Sequence, residues 1–324
     1  MAKKNLPKKQ NPKFPYTDLR NVVLFLFFTL LFLFYPGDSY YVELFFSHRD
    51  LFAHEQSKPA YQMSSDIPYV INKSVQPDIS ALGVYIIDLD SATPVFARAE
   101  HERFLPASTT KIITALVAYD TFAPEDVLEV KKVIDEGQVV GLVAGEKLTF
   151  ENLLYATLVH SGNDAAYVIA DNFPAGREAF VSAMNQKAAE LGMRDSQFQN
   201  PAGFDAFRQY TTPFDLSLAA RALLQNSLLS KIVSTKAITI SDVDFNYFHK
   251  LNNVNQLLGE IPGVGGLKTG FTQNAGENLV TFYKSNGHRF LMVIVHSEDR
   301  FEDTRAIVSW INTNIAFTES PPLE

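Results

Sequence analysis

The stretch that decides the fold runs from Pro106 to Asp120 and reads PASTTKIITALVAYD. From Ile112 onward its apolar residues recur three and four positions apart, which predicts a buried helix. Proline followed by Ser-Thr-Thr is typical of a helix start. Lys111 interrupts the apolar pattern, and a lysine in such a run must either reach out to water or be dehydrated for a reason. A lysine buried one turn after Ser108 therefore needs an explanation from elsewhere in the chain.

Two further short motifs supply that explanation. VHSGNDAA places Ser-Gly-Asn at 161–163, in a polar break between two helical patterns, and GGLKTGF places Lys-Thr-Gly at 268–270 on a predicted strand. Ser-x-x-Lys, Ser-x-Asn and Lys-Thr-Gly each occur once in the chain. Their order and their helix, loop and strand contexts are those of the active-site serine enzymes that recognise penicillin.

The chain resembles the low-molecular-mass penicillin-binding proteins, the D-alanyl-D-alanine carboxypeptidases of serine type. The resemblance extends to FLPASTTKIITALVA, GEKLTFENLLYATLVHSGNDAA, NPAGFDAFRQYTTPFDLSLAARALL, GVGGLKTGFTQNAGENLV and RFEDTRAIVSWI, and it covers about residues 79–316. It implies an enzyme that removes terminal D-alanine from peptidoglycan stem peptides through an acyl-enzyme. It also implies that β-lactams inhibit the protein and that no cofactor takes part.

The chemistry of an acyl-enzyme explains the residue types. Such a reaction needs a nucleophile with a base in reach, and Lys111 lies one helical turn after Ser108. The lysine must be neutral, and we expect burial and the charge of Lys268 to lower its pKa. The resemblance implies that Ser161 relays a proton to the leaving amine and that Asn163 holds the substrate amide.

The remaining candidate residues concern the substrate's carboxylate and its oxyanion. Lys268 and Thr269 are expected to face the terminal carboxylate. The backbone N–H of the nucleophile lies at a helix start, and the resemblance implies that the N–H of Phe271, just after Gly270, completes an oxyanion hole. No arginine stands just before the Lys-Thr-Gly motif, so Arg300 is the candidate carboxylate clamp. The apolar side chain of Phe271 bears on substrate preference.

Three alternatives remain open. A D,D-endopeptidase that cuts cross-links would share every motif. A class A-like β-lactamase would need a glutamate in an E-x-x-L-N setting, which the chain lacks. A catalytically inactive wall-binding protein would usually have lost the serine or a lysine. The seven histidines show no H-E-x-x-H or comparable spacing, so no metal site is predicted.

Charge and composition narrow the class of protein further. The net charge is −8, with +5 in residues 1–20 and −13 in the remainder. An acidic body without a basic stripe argues against nucleic-acid binding. The chain has no cysteine, which excludes disulfides and thiolate metal sites.

The basic start precedes the apolar run NVVLFLFFTLLFLFYP, a membrane-targeting pattern. We predict a cytoplasmic segment at 1–20 and a membrane anchor or signal segment at 21–46. The lack of an A-x-A site favours an uncleaved anchor, with cleavage as the alternative. Everything downstream would then lie on the outer face of the bacterial plasma membrane.

The organisation of the rest follows from its periodicity. Polar, proline-containing residues 47–78 predict a linker, 79–316 the catalytic domain and 317–324 a tail. Strand patterns lie at both ends of the domain, and helical patterns lie between them. The sequence therefore predicts an α+β fold of the β-lactamase and D,D-peptidase kind. Its antiparallel sheet would combine strands from both chain ends, with a helical lobe inserted between them.

Overall fold

A computed structural model describes residues 16–34 and 66–318. The chain divides into two units, and the first contains helix α1 (Tyr16–Phe34). This helix begins inside the predicted cytoplasmic segment and covers part of the predicted anchor, whose residues 35–46 lie outside the described ranges. Among the described residues, no helix combines the length and the apolar character needed to cross a membrane.

The second unit contains the other described helices and the strands. Its helices are α2 (Lys111–Tyr119), α3 (Phe150–Leu158), α4 (Asn163–Asn172), α5 (Gly176–Glu190), α6 (Pro213–Gln225), α7 (Ser227–Val233) and α8 (Arg300–Asn314). Its strands are β1 (Pro68–Val70), β2 (Gly83–Asp88), β3 (Pro94–Arg98), β4 (Val127–Glu129), β5 (Lys147–Thr149), β6 (Ala237–Ser241), β7 (Phe248–Asn252), β8 (Lys268–Thr272), β9 (Gly276–Ser285), β10 (His288–Ser297) and β11 (Ile315–Phe317).

The main sheet confirms the predicted fold class. Five antiparallel strands run in the order β3-β2-β10-β9-β8. The central pairing joins the two ends of the domain, with Ile86 opposite Met292. Strands β9 and β10 form the predicted hairpin, and both residues of its Asn286-Gly287 turn have positive φ. Helices α2 to α7 lie between β3 and β8 in the chain and form the inserted lobe.

Both faces of the sheet are covered. Successive side chains of a strand point to opposite faces. Accordingly Val293 of β10 joins a core shared with the helical lobe, whereas its neighbour Met292 joins a core with Trp310 of α8. The sheet is therefore the middle of three layers.

Local helix signals were predicted correctly in most places. Thr212 caps α6 by accepting a hydrogen bond from the Asp215 N–H, and Pro213 occupies the first helical position. The helix predicted from Ser108 differs in its first turn, which is a 3₁₀ helix over Ala107–Thr110 that leads into α2. A 3₁₀ turn is tighter than an α turn, and it changes the direction in which the serine faces.

Ordered structure begins before residue 79, the predicted start of the catalytic domain. Strand β1 lies in the predicted linker but pairs with β11, with Pro68 opposite Phe317. The indole N–H of Trp310 also donates to the Val75 carbonyl at 2.8 Å. A strand of three residues that pairs through its backbone is too short to show a hydrophobic periodicity, so the sequence pattern could not indicate it. Phe317 of the predicted tail belongs to the same small sheet, and residues 319–324 lie outside the described part.

Asp303 of α8 fastens the helix to the start of β2 and the end of β10. It accepts hydrogen bonds from the N–H groups of Ser80 and Ala81 and from the hydroxyls of Ser80 and Ser297. We expect Asp303→Ala to lower the free energy of unfolding by about 3 kcal/mol, because it leaves several hydrogen-bond donors without an acceptor. Urea denaturation measures this loss. The matched control Glu302→Ala, on the exposed side of the same turn, should cost less than about 1 kcal/mol. Equal losses in the two variants would contradict the assignment.

Candidate active site

The turn that carries Ser108 is held between two close backbone approaches. Ala107, the residue before it, has a positive φ of 47°. A Cβ on Gly270 of β8 would lie 3.0 Å from the Ser108 nitrogen, and a Cβ on Gly203 would lie 1.9 Å from the Ala107 carbonyl oxygen. Glycine is required at 203, and glycine at 270 lets the edge strand pass close beside the serine N–H.

Lys111 is fully buried, and three oxygens from separate segments surround its ammonium group. Its Nζ lies 2.8 Å from Ser108 Oγ, 2.7 Å from Asn163 Oδ1 and 2.7 Å from the Ala202 carbonyl oxygen. The predicted pairing of serine and lysine is therefore present in the structure. The predicted Ser-x-Asn motif reaches the same amine through its asparagine.

Burial lowers the pKa of Lys111 to about 7, and the charge of Asp164 acts in the opposite direction. The predicted repulsion between the two buried lysines appears as a lowered pKa of Lys268. Burial first, then the charges of Lys111 and Arg300, hold the pKa of Lys268 well below its usual range. Lys268 has a second cation nearby in Arg300, whereas Lys111 has the carboxylate of Asp164.

A second serine and lysine face each other across the cleft. Lys268 is buried, and its Nζ donates to Ser161 Oγ at 2.9 Å and to the Thr269 carbonyl at 2.9 Å. Ser161 has a positive φ of 65°, an unusual backbone conformation for a residue with a side chain. The break between α3 and α4 thus turns the hydroxyl toward β8, as the motif predicted.

The carboxylate of Asp164 holds the loop that covers this break. It accepts hydrogen bonds from the N–H groups of Val140, Gly141 and Leu142 at 2.8 to 3.1 Å. Sequence analysis assigned no role to Asp164 or to the Ala202 carbonyl. Asp164 directly follows the Ser-Gly-Asn motif and could have been found there, whereas a backbone acceptor such as Ala202 leaves no signal in residue type.

The substrate-side candidates line the same strand. Thr269 is buried, and Phe271 is exposed. The Nη1 of Arg300 donates to the Gly270 carbonyl at 2.9 Å, which places the guanidinium directly behind the Lys-Thr-Gly segment. Its Nε is buried without a hydrogen-bond partner among the described residues, and the nearest carboxylate oxygen, on Glu277, lies 3.8 Å away. The guanidinium therefore has donor capacity left over.

Taken together, the geometry provides the parts for acyl transfer. A serine hydroxyl touches an amine that can be neutral near pH 7, and a second serine touches a second amine with a lowered pKa. The Ser108 N–H lies beside the edge strand, where a developing oxyanion would be stabilised.

Comparison with known proteins agrees with this chemistry. Residues 71–299 match the peptidase S11 family, described as D-alanyl-D-alanine carboxypeptidase. The chain is 28% identical over 250 residues to the D-alanyl-D-alanine carboxypeptidase DacF of Bacillus subtilis, covering 75% of this chain and 64% of that protein. The chain therefore spans less than two thirds of that relative's length.

Two other relatives are matched over more of their length. A D-alanyl-D-alanine endopeptidase of Pseudomonas aeruginosa is 27% identical over 262 residues, which cover 78% of this chain and 84% of that protein. The crystal structure of the Streptomyces K15 DD-transpeptidase superimposes with a TM-score of 0.68 at 28% identity, covering 73% of this chain and 98% of that one.

The lowered pKa of Lys111 predicts how the reactivity of Ser108 depends on pH. The neutral amine exists above its pKa, so labelling of Ser108 by a fluorophosphonate should speed up as pH rises through about 7. Asp164→Asn removes a charge that raises this pKa, and the midpoint should move to lower pH. The control Asp171→Asn, on the same helix, should leave the midpoint in place. A midpoint that moved upward in Asp164→Asn would contradict the assignment.

Proposed function

Because the chain belongs to the D-alanyl-D-alanine carboxypeptidase family, we propose that it hydrolyses the terminal D-Ala-D-Ala bond of peptidoglycan stem peptides. One observation carries the proposal, the set of three oxygens around Lys111 Nζ. In the neutral amine two N–H groups donate to Asn163 Oδ1 and to the Ala202 carbonyl. The lone pair is then left facing the hydroxyl of Ser108, as a general base requires.

Acylation begins when Ser108 Oγ attacks the carbonyl carbon of the penultimate D-alanine and its proton passes to Lys111 Nζ. The oxyanion is stabilised by the Ser108 N–H and, we propose, by that of Phe271. When the C–N bond breaks, the amine of terminal D-alanine takes a proton from Ser161, which regains one from Lys268. The hydrogen bond from Lys268 to Ser161 supports this route. Asn163, which already contacts Lys111, would also hold the substrate amide.

Deacylation reverses the roles of the two lysines. Neutral Lys268, acting through Ser161, takes a proton from the attacking water, and charged Lys111 returns its proton to Ser108 Oγ. The cycle therefore needs one proton shared between two buried amines. Burial lowers the pKa of both, and mutual repulsion opposes charging both at once.

The terminal carboxylate is proposed to bind beside β8, where Lys268, Thr269 and Arg300 converge. Arg300 is supported as the clamp by its position behind Gly270 and by its unpartnered Nε. A buried guanidinium keeps its charge at neutral pH, and it presents several donors in a fixed plane. The same cation would attract the carboxylate of a β-lactam inhibitor.

We place this activity in the cell envelope, where its substrate lies. Support comes from the basic residues 1–20 followed by an apolar run, a pattern that directs export. Attachment to the membrane through 21–46 stays a prediction from sequence.

A D,D-endopeptidase activity is the second candidate. It is supported by the similarity to the D-alanyl-D-alanine endopeptidase of Pseudomonas aeruginosa, which is 27% identical over 262 residues. The same lysines and serines would cut a D-alanyl amide whether its amine belongs to D-alanine or to a cross-link. Digestion of cross-linked muropeptides, compared with linear pentapeptides, separates the two activities.

Release of D-alanine from a pentapeptide that ends in D-Ala-D-Ala tests the main proposal. Ser108→Ala should lower the turnover number by about a thousand-fold or more, because the covalent route is lost. Ser227→Ala, at an exposed serine of α7, is the matched control and should retain full activity. Mass spectrometry after exposure to penicillin should place one adduct on Ser108. Absence of D-alanine release from the intact chain would refute the activity.

Recognition of the carboxylate can be tested apart from the chemistry. We expect Arg300→Leu to lower kcat/KM about ten-fold or more for the peptide acid, since it removes a charge-assisted hydrogen bond. The effect on the matching C-terminal amide should be small, and Arg300→Lys should recover part of the preference. An acid-to-amide ratio that is the same in wild type and Arg300→Leu would exclude Arg300 as the clamp.

A further inference from the structure

Three metal-ligating side chains meet at the end of the sheet remote from the candidate active site. Asp88 ends β2, Asp90 follows in the turn to β3, and His288 begins β10. One ligand atom from each lies within 4.8 Å of the others. Along β10, His288 is five residues from Val293, which is aligned through β9 with Lys268 of the active-site strand. Five strand residues span about 17 Å, so this cluster is separate from the candidate active site.

Two atoms of the cluster are buried without a hydrogen-bond partner among the described residues. They are Asp88 Oδ1 and His288 Nδ1, and their side chains are 0% and 8% exposed. The other carboxylate oxygen of Asp88 is satisfied by the N–H and hydroxyl of Ser91. An unpartnered, buried carboxylate oxygen is costly, so a ligand that satisfies it would stabilise the fold.

The geometry fits a bridging cation better than a direct hydrogen bond. His288 Nδ1 and Asp88 Oδ1 are 3.7 Å apart, too far for an N–H to donate. Two ligand atoms on a tetrahedral zinc ion are about 3.4 Å apart. The imidazole is held in this direction by stacking on Phe317, with ring centroids 3.6 Å apart and an interplanar angle of 15°.

We propose that Asp88, Asp90 and His288 bind a divalent transition-metal ion of the zinc type. One imidazole nitrogen with two carboxylates suits zinc, whereas magnesium and calcium prefer oxygen ligands alone. Asp90 is partly exposed, which leaves a route for entry and a fourth position for water. It is also paired with Arg289 at 2.7 Å.

The ion would act as a structural clamp. It would join β2 to β10 directly and, through the stacked His288 and Phe317, would brace the small sheet of β1 and β11. The predicted effect is on stability and not on the acyl-transfer chemistry, so the test does not depend on the proposed activity.

The test uses the full chain after removal of metals with a chelator. Titration with Co²⁺ should give a visible absorption band that saturates at one ion per chain, and Zn²⁺ should abolish the band by displacement. Zn²⁺ at a hundred-fold excess over its dissociation constant should raise Tm by about 5 °C or more, while Mg²⁺ should not.

His288→Gln and Asp88→Asn should both lose the band and the rise in Tm, each judged against its own metal-free sample. His101→Gln, at an exposed histidine outside the cluster, should keep both. Unchanged Tm in about 1 mM Zn²⁺, or binding retained in both cluster variants, would overturn the proposal.

Discussion

The burial of two lysines in one cleft is the constraint on which the candidate site depends. An ammonium group loses its hydration when it is buried, and the protein must replace that hydration with oriented oxygens. For Lys111 those oxygens come from the serine turn, from the start of α4 and from the carbonyl of Ala202. The base is therefore assembled only when three separate parts of the helical lobe have folded against one another. No local peptide could reproduce it.

The same requirement explains why unusual backbone conformations gather here. Ala107 and Ser161 both have positive φ, and Gly203 fits against the Ala107 carbonyl where any Cβ would clash. Positive φ at residues with side chains costs stability, and it persists only where the surrounding structure enforces it. The buried helices and β8 hold Ala107 and Ser161 in these conformations. The two reactive hydroxyls are thereby fixed in directions that an ordinary helix start would not provide.

Residue types in the site were readable from the sequence because each has a chemical task that few other residues can perform. Ser108, Lys111, Ser161 and Lys268 were all placed in one cleft by three short motifs, and the structure brings their side chains together. Long strands and helices were likewise predicted from the spacing of their apolar residues. Contacts made through the backbone could not be predicted from the sequence. They include the Ala202 carbonyl at Lys111 and the pairing of β11 with β1, which lies in the predicted linker.

Two further features could not be predicted from the sequence for a related reason. They are the charges that surround each lysine and the contact between residues that lie far apart in the chain. The charges that lie next to each lysine, Asp164 for Lys111 and Arg300 for Lys268, depend on how the chain folds, and motif spacing carries no such information. Asp88 and His288 are two hundred residues apart in the chain, so a search for metal motifs at short spacing could not join them. Antiparallel pairing of β2 with β10 does so.

The two proposed activities share the same acyl-transfer chemistry, so the features that distinguish their substrates must lie elsewhere. Carboxypeptidase and endopeptidase reactions break the same kind of amide, so the lysines and serines cannot discriminate between them. Discrimination must come from the rim that meets the rest of the peptide. There Phe271 is 60% exposed beside the buried Lys-Thr-Gly segment, and Asp205 binds the side chains of Thr272 and Asn274 just beyond it. In the proposed reactions, an apolar ring next to a segment held by Asp205 would bear on which peptide is accepted, whereas the buried amines are common to both activities.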